Sequence, residues 1–266
     1  MRWSMLLSCV AMLFAFNVEA ADYVLLHGMG QKGGGADKAV KYWGGHESGG
    51  HCTKRSWGRC KKRAPKSYHP ASYLPGSKHV PMYDSTNNGL TSGWLQRTYV
   101  NEARKGKKVI AHSMGNPTLV HACYSGKGCV NFRNSQGPLL GSDAADNAHK
   151  LCNIWGIGAI VDLIGYCTPA VYTLRTTNGY FHNSAYRNNI KKQTQKSFCG
   201  YDYSTWRNGN SVKMRIVSNT MIGGQDDGLV PYWSCAYGNK VSRVKCDHEQ
   251  GTGRSDNCGN VKGWMR

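Results

Sequence analysis

Three residues carry the most evident chemical capacity in this chain of 266 residues, and they occur in the order Ser113, Asp227, His248. Ser113 lies in Ala111-His112-Ser113-Met114-Gly115-Asn116, after the apolar run Lys108-Val109-Ile110 and before Pro117-Thr118-Leu119-Val120. A serine between small residues where a strand becomes a helix has the pattern of a nucleophile elbow, a strained turn that lifts the hydroxyl to the top of a sheet. The first position of that pattern is Ala111 rather than the usual Gly, so its weight comes from the residues around it. A serine hydroxyl attacks only when a base removes its proton and an acid holds that base in one tautomer. His248 in Lys245-Cys246-Asp247-His248-Glu249 supplies the base, and Gly223-Gly224-Gln225-Asp226-Asp227-Gly228-Leu229-Val230-Pro231 supplies the acid. Asp227 fits G-x-x-D-x-x-V-P counted from Gly224, while the adjacent Asp226 could substitute for it.

Other histidines have plainer expected roles. His112, beside the nucleophile, is expected to be structural, with its side chain turned away from the position Ser113 presents, and His27 is expected to brace a turn. His121 and His149 fall on expected helices, where a packed or exposed polar residue is the simplest reading.

Several elements must position these groups. Tyr23-Val24-Leu25-Leu26 reads as a short buried strand that runs into His27-Gly28-Met29-Gly30, whose small residues let a backbone N–H approach a substrate oxyanion. Gly93 to Arg104 has helical spacing and stops near Gly106, ahead of the elbow strand, and His79 to Tyr83 resumes the sheet. Lys213-Met214-Arg215-Ile216-Val217 reads as the strand leading to the acid. The Gly-, Lys-, His- and Ser-rich stretch 31–78 reads as an irregular insertion stapled by disulfide. Leu151 to Gly165 is the most apolar internal stretch, open to reading as a lid or as a plain core helix.

With these residues assembled, the chain resembles secreted bacterial triacylglycerol lipases of the α/β-hydrolase superfamily. The islands are Tyr-x-Leu-Leu-His-Gly-Met at 23–29, Ala-His-Ser-Met-Gly-Asn-Pro-Thr at 111–118, Gly-Ser-Asp-Ala-Ala-Asp at 141–146 and Asp-Gly-Leu-Val at 227–230, followed by the His248 segment. Stretches 31–108 and 166–211 are not recognisable. The resemblance implies an α/β-hydrolase fold with a central, mostly parallel sheet flanked by helices, which here carries the disulfide-stapled insertion read above, and leaves the stretch Leu151 to Gly165 open between a lid and a core helix. It also implies ester hydrolysis with Ser113 as nucleophile, Asp227 as acid and His248 as base, and oxyanion donors at Met29 and Met114. Two departures stand out: Gln250 replaces the acid that helps to bind a structural calcium in such lipases, so no metal or other cofactor is carried over, and Asn116 replaces a glycine, which narrows the expected site.

Composition bounds the setting. Residues 1–20 combine a basic start, an apolar core and small residues at a cut site, the pattern of a secretory signal peptide, leaving 21–266 as one expected hydrolase domain in a secreted, extracellular protein. Cys9 leaves with that segment, and the ten remaining cysteines fit disulfides better than zinc, with Cys52–Cys60 and Cys123–Cys129 as local pairings. Thirty-four Lys and Arg face 15 acids, a net charge of +19. Such an excess favours anionic surfaces, a phospholipid membrane among them, while no nucleic-acid motif points to nucleic acid as partner. The run Lys54 to Arg63 is either a solvated basic loop or a docking patch. The expected substrate is an ester or lipid; the competing reading is a basic binding protein of hydrolase fold without turnover.

Overall fold

The computed structural model describes residues 20–29, 32–34, 36–69, 71–152, 167–201, 222–253, 258 and 260–266. The signal-like segment apart from Ala20, the strand expected at 213–217 and, apart from Leu151 and Cys152, the stretch 151–165 read as a lid or a core helix lie outside them.

The apolar run after Asp22 forms β1 (Ala21–Leu26), in which Tyr23 to Leu26 are all buried, as expected of a parallel strand covered on both faces. Short antiparallel pieces follow: β2 (Lys32–Gly34), β3 (His46–Gly49), β4 (Cys52–Ser56), β5 (Arg59–Arg63) and β6 (Lys66–His69). The sheet resumes at β7 (Ser77–His79), while β8 (Met82–Asp84) pairs with β2 instead. The segment around residues 79–83 is therefore split between two sheets. Four longer-range strands complete the fold: β9 (Gly106–His112), β10 (Phe132–Ser135), β11 (Thr194–Gly200) and β12 (Val241–Val244).

The central sheet runs β12-β11-β10-β9-β1-β7, and every pairing in it is parallel. Helices supply the crossovers that parallel strands require: Gly93–Ala103 precedes β9, Gly115–Tyr124 joins β9 to β10, and Ser184–Gln193 leads into β11. Side chains alternate across the sheet. Val24, Leu26, Val109 and Ala111 join Leu95, Tyr99, Leu119 and Ile190 in the core on one face. Tyr23, Leu25 and Ile110 meet Trp43, Leu74, Phe198 and Met265 on the other. A parallel sheet between helical layers in this strand order is an α/β-hydrolase fold. Strand order reverses between β1 and β9, the switch point where such sheets open a crevice at the carboxyl ends of their strands.

Ser92 caps the helix Gly93–Ala103 by accepting from the Leu95 N–H. Its end falls at Arg104, and Gly106 opens β9 rather than stopping the helix. The expectation of an irregular stretch over 31–78 is corrected more strongly. It holds the helix Ala36–Tyr42 and one long hairpin, β3-β4 returning through β5-β6. Both faces of that hairpin meet solvent, so no hydrophobic period marks it in sequence. The ten cysteines form five bridges, Cys52–Cys60, Cys123–Cys129, Cys152–Cys167, Cys199–Cys235 and Cys246–Cys258, the first two as expected.

Candidate active site

β9 ends at His112, and the next residue, Ser113, turns with φ +54° before the helix Gly115–Tyr124 begins. A positive φ crowds the Cβ of an L-residue against its own backbone, so neighbouring atoms must hold Ser113 there. The Ser113 N–H donates to the Ser135 carbonyl, and its carbonyl accepts from the Asn116 N–H and from Asn116 Nδ2. Asn116 also reaches the Ser135 carbonyl at 3.3 Å and is fully buried. It therefore ties the elbow to β10 and lines neither of the clefts described below, which corrects the expectation that it narrows the site. Across the switch point stands Gly28, where a Cβ would lie 2.4 Å from the Ser113 Cβ and 2.9 Å from its Oγ. Only glycine allows the turn after β1 to come that close.

That turn places Met29 beside Ser113 in the same cleft. Met114 stands at the start of the elbow helix, where backbone N–H groups have no intrahelical partner and the helix dipole is positive. His27 braces the turn: its Nδ1 donates to the Gly28 carbonyl, and its Nε2 accepts from the Tyr83 N–H. Burial pushes its pKa down to about 4, so it is neutral at pH 7. Ser85 Oγ gives the Gly28 carbonyl a second donor at 2.8 Å.

Asp227 and His248 meet across a sharp loop. His248 Nδ1 donates to Asp227 Oδ2 at 2.8 Å, and the His248 N–H donates to the Asp227 carbonyl at the same distance. The other carboxylate oxygen, Oδ1, accepts from the backbone of Leu229 and Val230. Asp226 is spent differently, accepting from the Gly228 N–H at 2.6 Å within its own turn. His248 is 5% and Asp227 1% exposed. Burial opposes the charged imidazole, but the Asp227 carboxylate, with Glu249 and Asp247 beyond it, outweighs that penalty and raises the His248 pKa above its ordinary value.

Two clefts converge on Ser113 and His248. One is walled by apolar groups, Met29, Ala144, Ala145, Val171, Leu174, Leu229 and Val230, with Pro138 and Ser142. The other is more polar and includes Tyr42, His112, Glu249 and Thr252. The structure thus brings Met29, Ser113 and His248 to one crevice, sets Asp227 behind His248 and seats Met114 in the core directly under the elbow.

Sequence reasoning missed a hydrogen-bond relay. The Gly28 N–H donates to the Tyr42 hydroxyl, that hydroxyl lies 2.5 Å from His112 Nδ1, and His112 Nε2 donates to the His248 carbonyl at 2.8 Å. His112 also packs against the His248 ring, with centroids 4.7 Å apart. It therefore faces the loop that carries His248 and links it, through Tyr42, to the turn after β1. On the far side of the loop, Gln136 Nε2 holds the Asp247 carbonyl, while Gln250 and Asp247 exchange two hydrogen bonds. Gln250 is buried in that exchange and closes the loop with a neutral amide. Among the described residues no group of three or more His, Cys, Asp or Glu side chains could hold a metal ion. His121 meets Gln96 and Tyr180 on the helix Gly115–Tyr124, and His149 packs against Tyr172, both away from the clefts.

No protein-family model matches the chain, and no curated protein matches it in sequence. Among solved structures, the chain is similar to the mature form of a Bacillus licheniformis lipase, BlEst2, at 16% identity over 88% of this chain and 86% of that one, with a TM-score of 0.49.

Proposed function

We propose that this protein is an exported serine ester hydrolase, a carboxylesterase or lipase, that cleaves acyl esters, lipid esters among them, through Ser113, His248 and Asp227. The observation that carries the reading is the His248 Nδ1–Asp227 Oδ2 contact at 2.8 Å, with His248 and Ser113 lining the same two clefts. His248 Nε2 takes the proton from Ser113 Oγ as that oxygen attacks the ester carbonyl. Asp227 keeps the proton on Nδ1 and stabilises the imidazolium that forms. The oxyanion sits between the backbone N–H groups of Met29 and Met114, each worth on the order of 3 kcal/mol in such sites. Collapse of the tetrahedral intermediate breaks the bond to the alcohol, which leaves with the proton from His248. Water, deprotonated by the same imidazole, then attacks the acyl-enzyme, releasing the carboxylic acid and restoring the Ser113 hydroxyl.

The apolar cleft suits an acyl chain, and the polar one suits the leaving alcohol. Export rests on the composition of residues 1–20 and is supported by five disulfides, which persist in oxidising compartments. Among the described residues no helix is long and apolar enough to cross a membrane.

Labelling with a fluorophosphonate, which phosphonylates only an activated serine, tests the assignment. Wild type should label, while Ser113→Ala and His248→Ala should both lose labelling with their folds intact by circular dichroism. A well-folded wild type that stays unlabelled would leave the hydrolase reading without support.

A further inference from the structure

The segment from His46 to His69 holds seven Lys and Arg against a single acid, Glu47. Its two halves pair antiparallel, His46 opposite His69 at the root and Ser56 opposite Arg59 near the tip, with an irregularity in the register around Lys54. At ~3.3 Å per residue this two-stranded arm extends on the order of 35 Å. Cys52–Cys60 staples its outer half. Glu47 is already engaged near the root by Lys41 and Lys66. Among the described residues, no acid forms an ion pair with Lys54, Arg55, Arg59, Lys61, Lys62 or Arg63. All of β5 is exposed.

The tip is the telling feature. Trp57 and Gly58 form the two-residue turn with φ +53° and +72°, the signature of a hairpin turn in which Asn-Gly is the least strained choice. A tryptophan at positive φ is costly, and this one is 98% exposed, so neither local conformation nor burial explains it. An indole held in water on a stalk of unpaired cations matches what an anionic lipid interface recognises: the ring enters the headgroup boundary while Lys and Arg meet phosphates. A nucleic-acid strand would instead use several aromatic rings along its path, and the outer arm offers only one.

We propose that this arm docks the protein on anionic phospholipid surfaces, with Trp57 as the inserted anchor and the cations of β4 and β5 as the electrostatic contact. The arm is rooted beside the candidate site, since Tyr42, four residues before β3, lines the polar cleft with Ser113. Any benefit to catalysis rests on the proposed hydrolase reading. Docking does not, and it is measured on protein that cannot turn over.

The test uses the full disulfide-bonded protein carrying Ser113→Ala, sedimented with vesicles of phosphatidylcholine alone or with one-third phosphatidylglycerol. Binding should require the anionic lipid and weaken with salt as screening shortens the reach of the cations. Trp57→Asn suits the turn, so the hairpin should keep its thermal midpoint while vesicle affinity falls at least tenfold. The combined Arg59→Ser, Lys61→Ser and Lys62→Ser variant should lose binding further. Equal affinity of the variants and the parent, equal binding to neutral and anionic vesicles, or binding to heparin and DNA but not to vesicles would each overturn the proposal.

Discussion

Ser113 and His248, the nucleophile and base of the proposed mechanism, each stand in a setting prepared by their neighbours. The elbow puts Ser113 at positive φ, and Gly28 leaves the space that its side chain occupies. His248 gains basicity from Asp227 despite being buried. A base must be unprotonated to act, so kcat/KM for a soluble ester should fall as pH drops through the His248 pKa. The acid limb should lie above 6.5, the ordinary imidazole value. Asp227→Asn should move that limb down and cut kcat by about 10⁴, as loss of the orienting acid does in related triads. Stability runs the opposite way. A histidine whose folded pKa is raised contributes its stabilisation in full below the unfolded pKa and loses it as pH rises through the folded value. A pH–rate profile with an acid limb below 6.5 in wild type would contradict this environment for His248.

At the scale of elements, the relay from Gly28 through Tyr42 and His112 to the His248 carbonyl links the turn after β1, the helix Ala36–Tyr42, the end of β9 and the loop that carries His248. These pieces come from distant parts of the chain, and in the proposed mechanism their relative placement decides whether Met29, Met114 and His248 address the same carbonyl carbon. Tyr42→Phe removes the hydroxyl from the middle of the relay. It should lower kcat about tenfold, the effect of roughly 1.4 kcal/mol expected for one lost hydrogen bond, with KM unchanged. A lowered thermal midpoint with unchanged kcat would make Tyr42 a structural residue only. The Tyr42 contact had no signal in sequence, because it falls within a stretch whose Gly and Lys content hides the helix.

At the scale of the whole molecule, five covalent links hold a chain whose net charge of +19 opposes compaction. Cys199–Cys235 spans 36 residues and joins the end of β11 to the helix Tyr232–Cys235 just beyond Asp227. In the chain-entropy account, removing a bridge of that span costs about 4 kcal/mol, more than removing one of six residues such as Cys123–Cys129. Replacing Cys199 and Cys235 by Ala should therefore lower the denaturation midpoint more than replacing Cys123 and Cys129, as urea unfolding would show. The reverse order would mean that strain or denatured-state structure outweighs loop entropy here.

Much of the fold and the candidate site was legible in the sequence wherever the signal is local. The buried runs of β1 and β9, the helix after Ser92 and the serine between Ala111 and Gly115 each impose their conformation through neighbouring residues. The α/β architecture follows from their alternation. Elements whose stability comes from elsewhere were not legible. β11 lies in a stretch with no recognisable pattern and is fixed by parallel pairing with β10 and β12. The arm is a hairpin with no buried face, so hydrophobic periodicity could not reveal it. The sequence pattern favoured Asp227, with the adjacent Asp226 left as a possible substitute. Folding separates them, because the turn commits Asp226 to the Gly228 N–H and directs Asp227 at the imidazole. The sequence by itself determined which residue types could perform acyl transfer and which local turns would present them. Only the tertiary structure decided which acid meets the base, which face His112 presents and where the unpaired cations gather, because each depends on contacts between segments far apart in the chain.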